Sequence, residues 1–138
     1  MQKTEMTVRW RQDWQPYIEQ YCAPLSDLFG TDFGLVATGG GCMALQALME
    51  SGACLMISDA YDILSPMGLR RQRWRNDREI LGFRVGYYDD ESDTDAVCFV
   101  TFAKARDAHA VAIAIRVCLV LAAKVKAGKA AKGTDLEI

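Results

Sequence analysis

Residues 34–58, GLVATGGGCMALQALMESGACLMIS, decide between two architectures. Both ends of this stretch have the continuous apolar character of buried strands. The segment 42–49 between them is rich in good helix formers, and a helix there would complete a strand–helix–strand unit with a glycine-rich phosphate cradle. A strand there would instead make two successive hairpins, with tight turns at Gly39–Gly41 and Ser51–Gly52.

The hairpin interpretation fits the residue spacing better. A crossover that includes a helix needs at least about 10–12 residues, and residues 39–52 barely supply that length. A phosphate-binding loop also needs a lysine followed by a hydroxyl residue after its glycines, whereas Cys42, Met43 and Ala44 stand there. The sequence therefore predicts a strand at 42–49, against its helix propensity, and a tight bend or bulge at the glycines.

Alternating apolar residues indicate two further strands after this stretch. Phe83, Val85 and Tyr87 alternate with polar or small residues, and the apolar run 96–102 follows the acidic segment 89–95. The acidic segment is then a hairpin loop between two antiparallel neighbours. We therefore expect an antiparallel sheet of about five strands.

Helices are predicted near both ends of the chain. The first carries apolar residues at helical spacing, at Trp14, Tyr17, Ile18 and Tyr21. Thr7–Arg11 before it alternates like a short strand, and Pro24 is expected to end the helix. A long helix is predicted over residues 104–127, followed by a flexible tail at 128–138. The fold class is therefore α+β, a single domain over residues 1–127 with both helices packed on the sheet.

The composition limits the classes of function that the chain can have. The chain has 138 residues, with 16 basic and 18 acidic side chains and a formal net charge of −2. This length suits one domain, and 51% apolar residues are too many for a disordered chain. The nearly balanced charge excludes a general polyanion binder and an acidic mimic of DNA. The N-terminus predicts no signal peptide, and the longest apolar run, Val111–Ala123, is shorter than the roughly 20 residues of a membrane span. We therefore expect a cytoplasmic protein.

Five cysteines, at positions 22, 42, 54, 98 and 118, are the candidate reactive groups. No two are spaced as C-x-x-C and His109 is the only histidine, so we expect no metal site and no cofactor. Each cysteine has apolar neighbours, which predicts small buried side chains in a reducing compartment. A catalytic thiol is the alternative, and its testable form is Cys42 with His109 as its base.

Three short motifs resemble a kind of small protein common in phage genomes, especially those of actinobacterial phages. The motifs are the T-G-G-G-C turn at Thr38–Cys42, the strand end at Ile57–Asp59 and the G-x-x-V-G-x-Y strand at Gly82–Tyr88. The resemblance covers about residues 34–102 and implies a small α+β protein of unassigned role, made in an infected bacterial cytoplasm. It carries over no catalytic residue. The two helices and the arginine-rich segment lie outside it or depart from it.

The C-terminal helix is apolar around more of its circumference than one neighbouring element could bury. At 100° per residue its large apolar side chains span about 260°, whereas a helix lying on a sheet needs a stripe only a little over about 100° wide. The candidate interface residues, on the part of the apolar arc that a sheet alone would not cover, are Ile113, Val117, Val120 and Leu121. Three explanations stay open: the N-terminal helix covers this face, a second copy covers it in a two-fold dimer, or a foreign partner does.

An arginine-rich segment, residues 69–80, places five arginines around one tryptophan. Arginine beside an aromatic ring can grip phosphate and stack on bases. The candidate binding residues are Arg71, Trp74, Arg75 and Arg78, the three arginines falling on one helical face. The plainer interpretation is a solvated face, paired in part with the acidic loop 89–95.

Three functions are compatible with these residues. The first is a small cytosolic interaction protein that docks through its long helix and uses Arg71, Trp74 and Arg75 as polar contacts, with a host protein as partner if the phage resemblance holds. The second is a nucleic-acid-binding module that uses the basic segment Arg70–Arg78. The third is an enzyme that depends on Cys42. We favour the first, a binding protein rather than an enzyme.

Overall fold

Six strands form one sheet within residues 3–138, the part of the chain that this computed structural model describes, with side chains from Val8 onward. They lie side by side in chain order, as β1 (Phe33–Gly39), β2 (Cys42–Leu48), β3 (Cys54–Ser58), β4 (Phe83–Tyr88), β5 (Cys98–Phe102) and β6 (Thr134–Glu137). The first five pair antiparallel, and β6 pairs parallel to β5. The predicted α+β class with an antiparallel sheet is confirmed.

The strand count differs from the prediction because of the C-terminus. The sequence predicts a flexible tail at residues 128–138, but Thr134–Glu137 form β6. Backbone hydrogen bonds fix both ends of this strand, from Gly133 N to the Val97 carbonyl (2.8 Å) and from Ile138 N to the Thr101 carbonyl (2.9 Å). This strand could not be recognised in the sequence because it is short and because acidic residues are depleted in strands.

The glycine turn and the strand at 42–49 are confirmed. Gly39, Gly40 and Gly41 all have positive φ, between 60° and 107°, a backbone conformation that glycine adopts without strain. The β1–β2 register shifts between Ala37 and Gly39, as in a β-bulge. Cys42–Leu48 then runs back along β1 as a strand, so the phosphate-cradle alternative does not apply.

The N-terminal helix begins earlier than the sequence predicts, whereas the C-terminal helix, predicted over residues 104–127, begins later, at Ala108, and ends at Lys126. The helices are α1 (Lys3–Asp13), α2 (Gln15–Tyr17), a π-helical turn (Ile18–Cys22), α3 (Ala23–Phe29), α4 (Met67–Asp77) and α5 (Ala108–Lys126). Thr7–Arg11 is helical rather than extended, so that expectation is wrong. Pro24 lies in the first turn of α3 and does not end the helical segment. Proline has no N–H to donate, and a first-turn position requires none. The π-helical turn before it, in which Ala23 N donates to the Ile18 carbonyl, connects the two helical segments.

The core lies between one sheet face and the helices. A row of fully buried side chains crosses the sheet in register, at Leu45, Ile57, Val85 and Val100. Helix α5 packs across β4 and β5 and buries Val111 and Ile115 against this row. Asp107 caps α5 by accepting a hydrogen bond from Ala110 N (2.9 Å).

Helix α5 meets the length and composition of a membrane span, with 19 residues and a mean hydropathy of 2.0. The core helix of a globular fold passes the same test. Here six residues of α5 are buried, namely Val111, Ala112, Ala114, Ile115, Cys118 and Ala122. The packing on the sheet therefore accounts for part of its apolar character.

Candidate functional site

A buried ion pair organises the region around α4. Arg70 of α4 and Asp59, just after β3, pair through their side chains, which are 10% and 4% exposed. The same guanidinium donates to the Gly82 carbonyl (2.8 Å) and, from Nε, to the Tyr17 hydroxyl (2.7 Å). Its central carbon lies 3.9 Å from the centroid of the Phe83 ring. Arg70 therefore links α2, the segment after β3 and the start of β4.

Ser65 completes the network. Asp59 accepts hydrogen bonds from Ser65 N (3.1 Å) and Ser65 Oγ (2.6 Å), and the Tyr17 hydroxyl donates to the Ser65 carbonyl. These contacts satisfy the carboxylate and the hydroxyl, as buried polar groups require. The network is structural, and it fixes the position of Arg70 beside the cleft described below.

Alkaline pH is expected to weaken the fold through Tyr17. Burial raises the pKa of its hydroxyl well above the ordinary value. The folded protein therefore keeps this proton where the unfolded chain loses it. This contribution to stability is complete below about pH 10 and falls as the pH rises further, by up to about 1.4 kcal/mol per pH unit.

Urea denaturation on both sides of pH 10 checks this expectation. Tyr17→Phe should flatten the decline in the free energy of unfolding above that pH. A smaller decline should remain, since burial also raises the pKa of Tyr21 and Tyr88. An equally steep decline in Tyr17→Phe would contradict the assignment.

A cleft of about 200 Å³ opens beside this network. Its polar and aromatic lining includes Tyr21, Arg70, Arg71, Trp74, Glu79 and Arg106. Of the predicted binding residues, the structure brings Arg71 and Trp74 into the cleft. Arg75 and Arg78 do not line it: both are exposed, and Arg78 follows the end of α4 with a left-handed φ of 53°. The prediction that Arg71, Arg75 and Arg78 share one helical face is therefore wrong at Arg78.

Arg106 and Tyr21 are the lining residues that sequence reasoning missed. The Arg106 guanidinium lies 3.6 Å from the centroid of the Trp74 ring, a cation–π contact. The Tyr21 hydroxyl donates to the Arg106 carbonyl (2.8 Å) and so holds the loop before α5 against the π-helical turn. No local pattern marks Arg106, because its partners come from distant parts of the chain.

The charges around the cleft are unevenly paired. Glu79 is bound by Arg73 (3.1 Å), and Arg70 by Asp59. Among the side chains described from Val8 onward, Arg71 and Arg106 make no ion pair. The acidic loop 89–95 pairs through Asp89 with Lys126 (3.0 Å) and not with the arginine-rich segment, which corrects the sequence-based expectation.

The predicted interface residues lie on a second surface. Val120 is 58% exposed and Ile113 39% exposed, while Val117 and Leu121 are half-buried. We refer to these four residues and Leu136 of β6, which is 41% exposed, as the α5 surface. Val117, Val120, Leu121 and Leu136 line a groove of about 310 Å³, flanked by Arg116 and Lys124.

The N-terminal helices do not cover the α5 surface. The buried aromatic residue Tyr21 packs instead on Phe83 of β4, with ring centroids 5.1 Å apart. Helix α3 approaches α5 where Arg116 lies 5.5 Å from the Phe29 ring. These contacts leave Ile113 and Val120 exposed, so coverage from within the described chain explains only part of the apolar circumference.

The thiols are placed as structural groups. Cys22, Cys54, Cys98 and Cys118 are buried, and burial raises the pKa of Cys22 to about 11. The Cys98 and Cys118 sulfurs lie 3.9 Å apart between β5 and α5, and this contact together with burial raises the pKa of Cys118. A thiol with a raised pKa is a poor nucleophile, which applies to Cys22 and Cys118. The hydrogen bond with Cys118 lowers the pKa of Cys98, but this thiol is fully buried.

Cys42 and His109 are not joined into a catalytic pair. Cys42 is half-buried at the start of β2, and His109 is exposed in the first turn of α5. Within the described residues no hydrogen bond links them, and no three His, Cys, Asp or Glu side chains cluster as a metal ion would need. The arrangement of guanidiniums, indole and apolar groove suits binding. Comparisons with protein-family models, curated proteins and solved structures find no match for this chain.

Proposed function

We propose that this chain is a small cytoplasmic protein-interaction protein that docks through the α5 surface, first of all on a second copy of itself. The observation that carries the proposal is the exposed apolar side of α5 at Ile113 and Val120. Contiguous exposed apolar patches with polar residues around them are typical of protein interaction sites.

A two-fold dimer would use the α5 surface twice. Full burial of one large apolar side chain contributes about 1.5–3 kcal/mol, and completing the burial of a half-exposed one contributes less; a micromolar dissociation constant corresponds to about 8 kcal/mol. A two-fold axis brings the same patch of each copy together, so every exposed residue of the α5 surface contributes twice. These contributions form the apolar centre of an interface, with the polar residues around it as a rim.

Charge limits how two copies can meet at this face. Arg116 and Lys124 flank the groove on the helix. Asp135 and Glu137 alternate with Leu136 along β6 and so lie on the opposite face of the sheet, where Asp135 pairs with Arg84 (2.7 Å). The acidic residues of β6 also oppose direct pairing of two β6 edges, because like charges would face each other.

Val120→Glu is expected to raise the dissociation constant of the dimer by at least about tenfold, since each copy would lose apolar contact and have to desolvate a carboxylate together with its partners Arg116 and Lys124, and about 1.4 kcal/mol suffices for a factor of ten. Sedimentation equilibrium over a wide range of concentrations measures this change. The matched control is Val8→Glu, the same substitution at a 49%-exposed position of α1, which should leave the dimer intact.

A wild-type protein that stays monomeric at high concentration would overturn the self-association proposal. Equal weakening by Val8→Glu and Val120→Glu would overturn the choice of surface. The resemblance of residues 34–102 to small phage proteins supports a host protein as the target on which the dimer acts.

Nucleic-acid binding is the second candidate function. It is favoured by the exposed side chains of Arg71, Arg73 and Arg75, which follow one another along α4 beside Trp74. Binding of single-stranded DNA or RNA would then weaken steeply with added salt, because phosphate contacts release counterions. Docking through the apolar α5 surface depends little on salt, so the salt dependence of each complex separates the two functions.

A further inference from the structure

We propose that the cleft between α4, the π-helical turn and the loop before α5 is a binding site for a small oxyanion, such as a phosphate monoester or a dicarboxylate. The site is separate from the α5 surface, and the proposal does not rest on docking through that surface. We refer to it as the guanidinium cleft, lined by Tyr21, Arg70, Arg71, Trp74 and Arg106.

The balance of charge in the guanidinium cleft favours an anion. Three guanidiniums line it, and the carboxylate of Glu79 is the acidic group among its lining residues. Glu79 is bound to Arg73, and Arg70 to Asp59, so both of these pairs are neutral. The charges of Arg71 and Arg106 remain uncompensated by any described side chain. Two like charges that line the same cleft repel each other, and an anion between them removes that cost.

The donors are held in place before any ligand binds. The Arg70 side chain is only 10% exposed and is fixed by its bonds to Asp59, Gly82 and Tyr17. Arg106 lies on the indole of Trp74, and its backbone carbonyl is held by the Tyr21 hydroxyl. Binding therefore orders mainly the side chain of Arg71, and a preorganised site loses less entropy when it binds its ligand.

The chemistry and size of the guanidinium cleft select the ligand class. Guanidinium groups recognise carboxylates and phosphates through paired N–H donors. A volume of about 200 Å³ accommodates a small anion and is below the usual range for drug-sized ligands, roughly 300–1,000 Å³. The Trp74 ring is already engaged by two guanidiniums, those of Arg106 (3.6 Å from its centroid) and Arg78 (5.3 Å), so it is a poor platform for stacking a nucleic-acid base.

Titration with inorganic phosphate and, in parallel, with succinate tests the proposal. Both are followed by NMR through the indole N–H of Trp74, at constant ionic strength. We expect saturable binding, with Arg71→Gln and Arg106→Gln each weakening it by at least about fivefold, since a charge-assisted contact is lost. The matched control is Arg75→Gln, on the same helix but outside the cleft, which should change binding by less than about twofold.

The results separate the sources of the anion. Tighter saturable binding of phosphate than of succinate assigns the cleft to a phosphate monoester, and the reverse order assigns it to a dicarboxylate. Non-saturable shifts, or binding weakened equally by Arg71→Gln and Arg75→Gln, would show an adventitious ion only and overturn the proposal. Tight binding of single-stranded DNA that depends equally on Arg71, Arg73 and Arg75 would also overturn it, in favour of an extended nucleic-acid surface.

Discussion

Arg70→Met is expected to lower the free energy of unfolding by about 3–5 kcal/mol, the cost of removing one partner of a buried ion pair. The substitution keeps much of the side-chain volume but leaves the Asp59 carboxylate buried without its counter-charge. It also removes the donors to the Gly82 carbonyl and the Tyr17 hydroxyl. Urea denaturation at neutral pH measures the change.

The matched control for this substitution is Arg73→Met, three residues along the same helix. Arg73 pairs with Glu79, and about half of each side chain is exposed. A solvent-screened pair of this kind contributes at most about 1 kcal/mol. Equal losses for the two variants would show that the buried pair carries no special weight.

A double variant tests the cause of the loss. Asp59→Asn removes the charge of Asp59 but keeps an acceptor for Ser65. Combined with Arg70→Met, it should recover part of the stability lost in Arg70→Met alone, since no unpaired buried charge remains. No recovery would mean that packing of the Arg70 side chain, rather than its charge, stabilises this region.

The sheet could be predicted from the sequence because most of its strands are connected by short local turns. The glycines at 39–41 and Ser51–Gly52 mark turns by composition, and the alternation around Val85 marks a half-buried strand. The arrangement of β1, β2 and β3 in chain order then requires no long-range information. The apolar length of helix α5 is equally local, whereas its start at Ala108, set by the cap at Asp107, differs from the predicted start at residue 104.

Features that depend on distant partners could not be predicted. The strand β6 is acidic, and only the neighbouring edge of β5 makes it a strand. Pro24 is a helix end by local rules, whereas the π-helical turn before it carries the helix onward. The contact between Arg70 and Tyr17 joins residues 53 positions apart, so no local sequence pattern predicts it.

The same limit applies to the guanidinium cleft. Spacing along a helix places Arg71 beside Trp74, and both line the cleft. It also places Arg78 on that face, but α4 ends at Asp77. Arg106 enters from the loop before α5, which the fold alone brings there. Arg70 illustrates the opposite error: it counts as a surface charge in the sequence and is a buried structural residue in the fold.

Gly82→Ala is expected to destabilise the protein by about 4 kcal/mol or more, a loss large enough to indicate a specific steric cause. Gly82 has a φ of +68°, and a Cβ atom at this position would lie 2.5 Å from the Ala103 carbonyl oxygen and 2.7 Å from that of Phe102. Both neighbours are backbone atoms at the end of β5, so they cannot rotate away as a flexible side chain would. Thermal or urea unfolding measures the loss.

Gly30→Ala separates the steric clash from the backbone strain. Gly30 has nearly the same φ, +64°, but a Cβ atom there would meet no other atom within 4 Å. Its replacement should therefore cost only about 1–2 kcal/mol, the penalty of a left-handed residue with a side chain. Similar losses at the two positions would contradict the close approach of Gly82 to Ala103.

Gly82 also contributes its carbonyl to the buried network around Arg70. A shift of the Gly82 backbone that relieves the clash would lengthen that hydrogen bond, so part of the loss in Gly82→Ala should come through Arg70. The combined variant of Gly82→Ala and Arg70→Met should then lose less stability than the sum of the two single variants. Strict additivity would show that the clash and the ion pair act independently, and that the turn before β4 stabilises the fold by sterics alone.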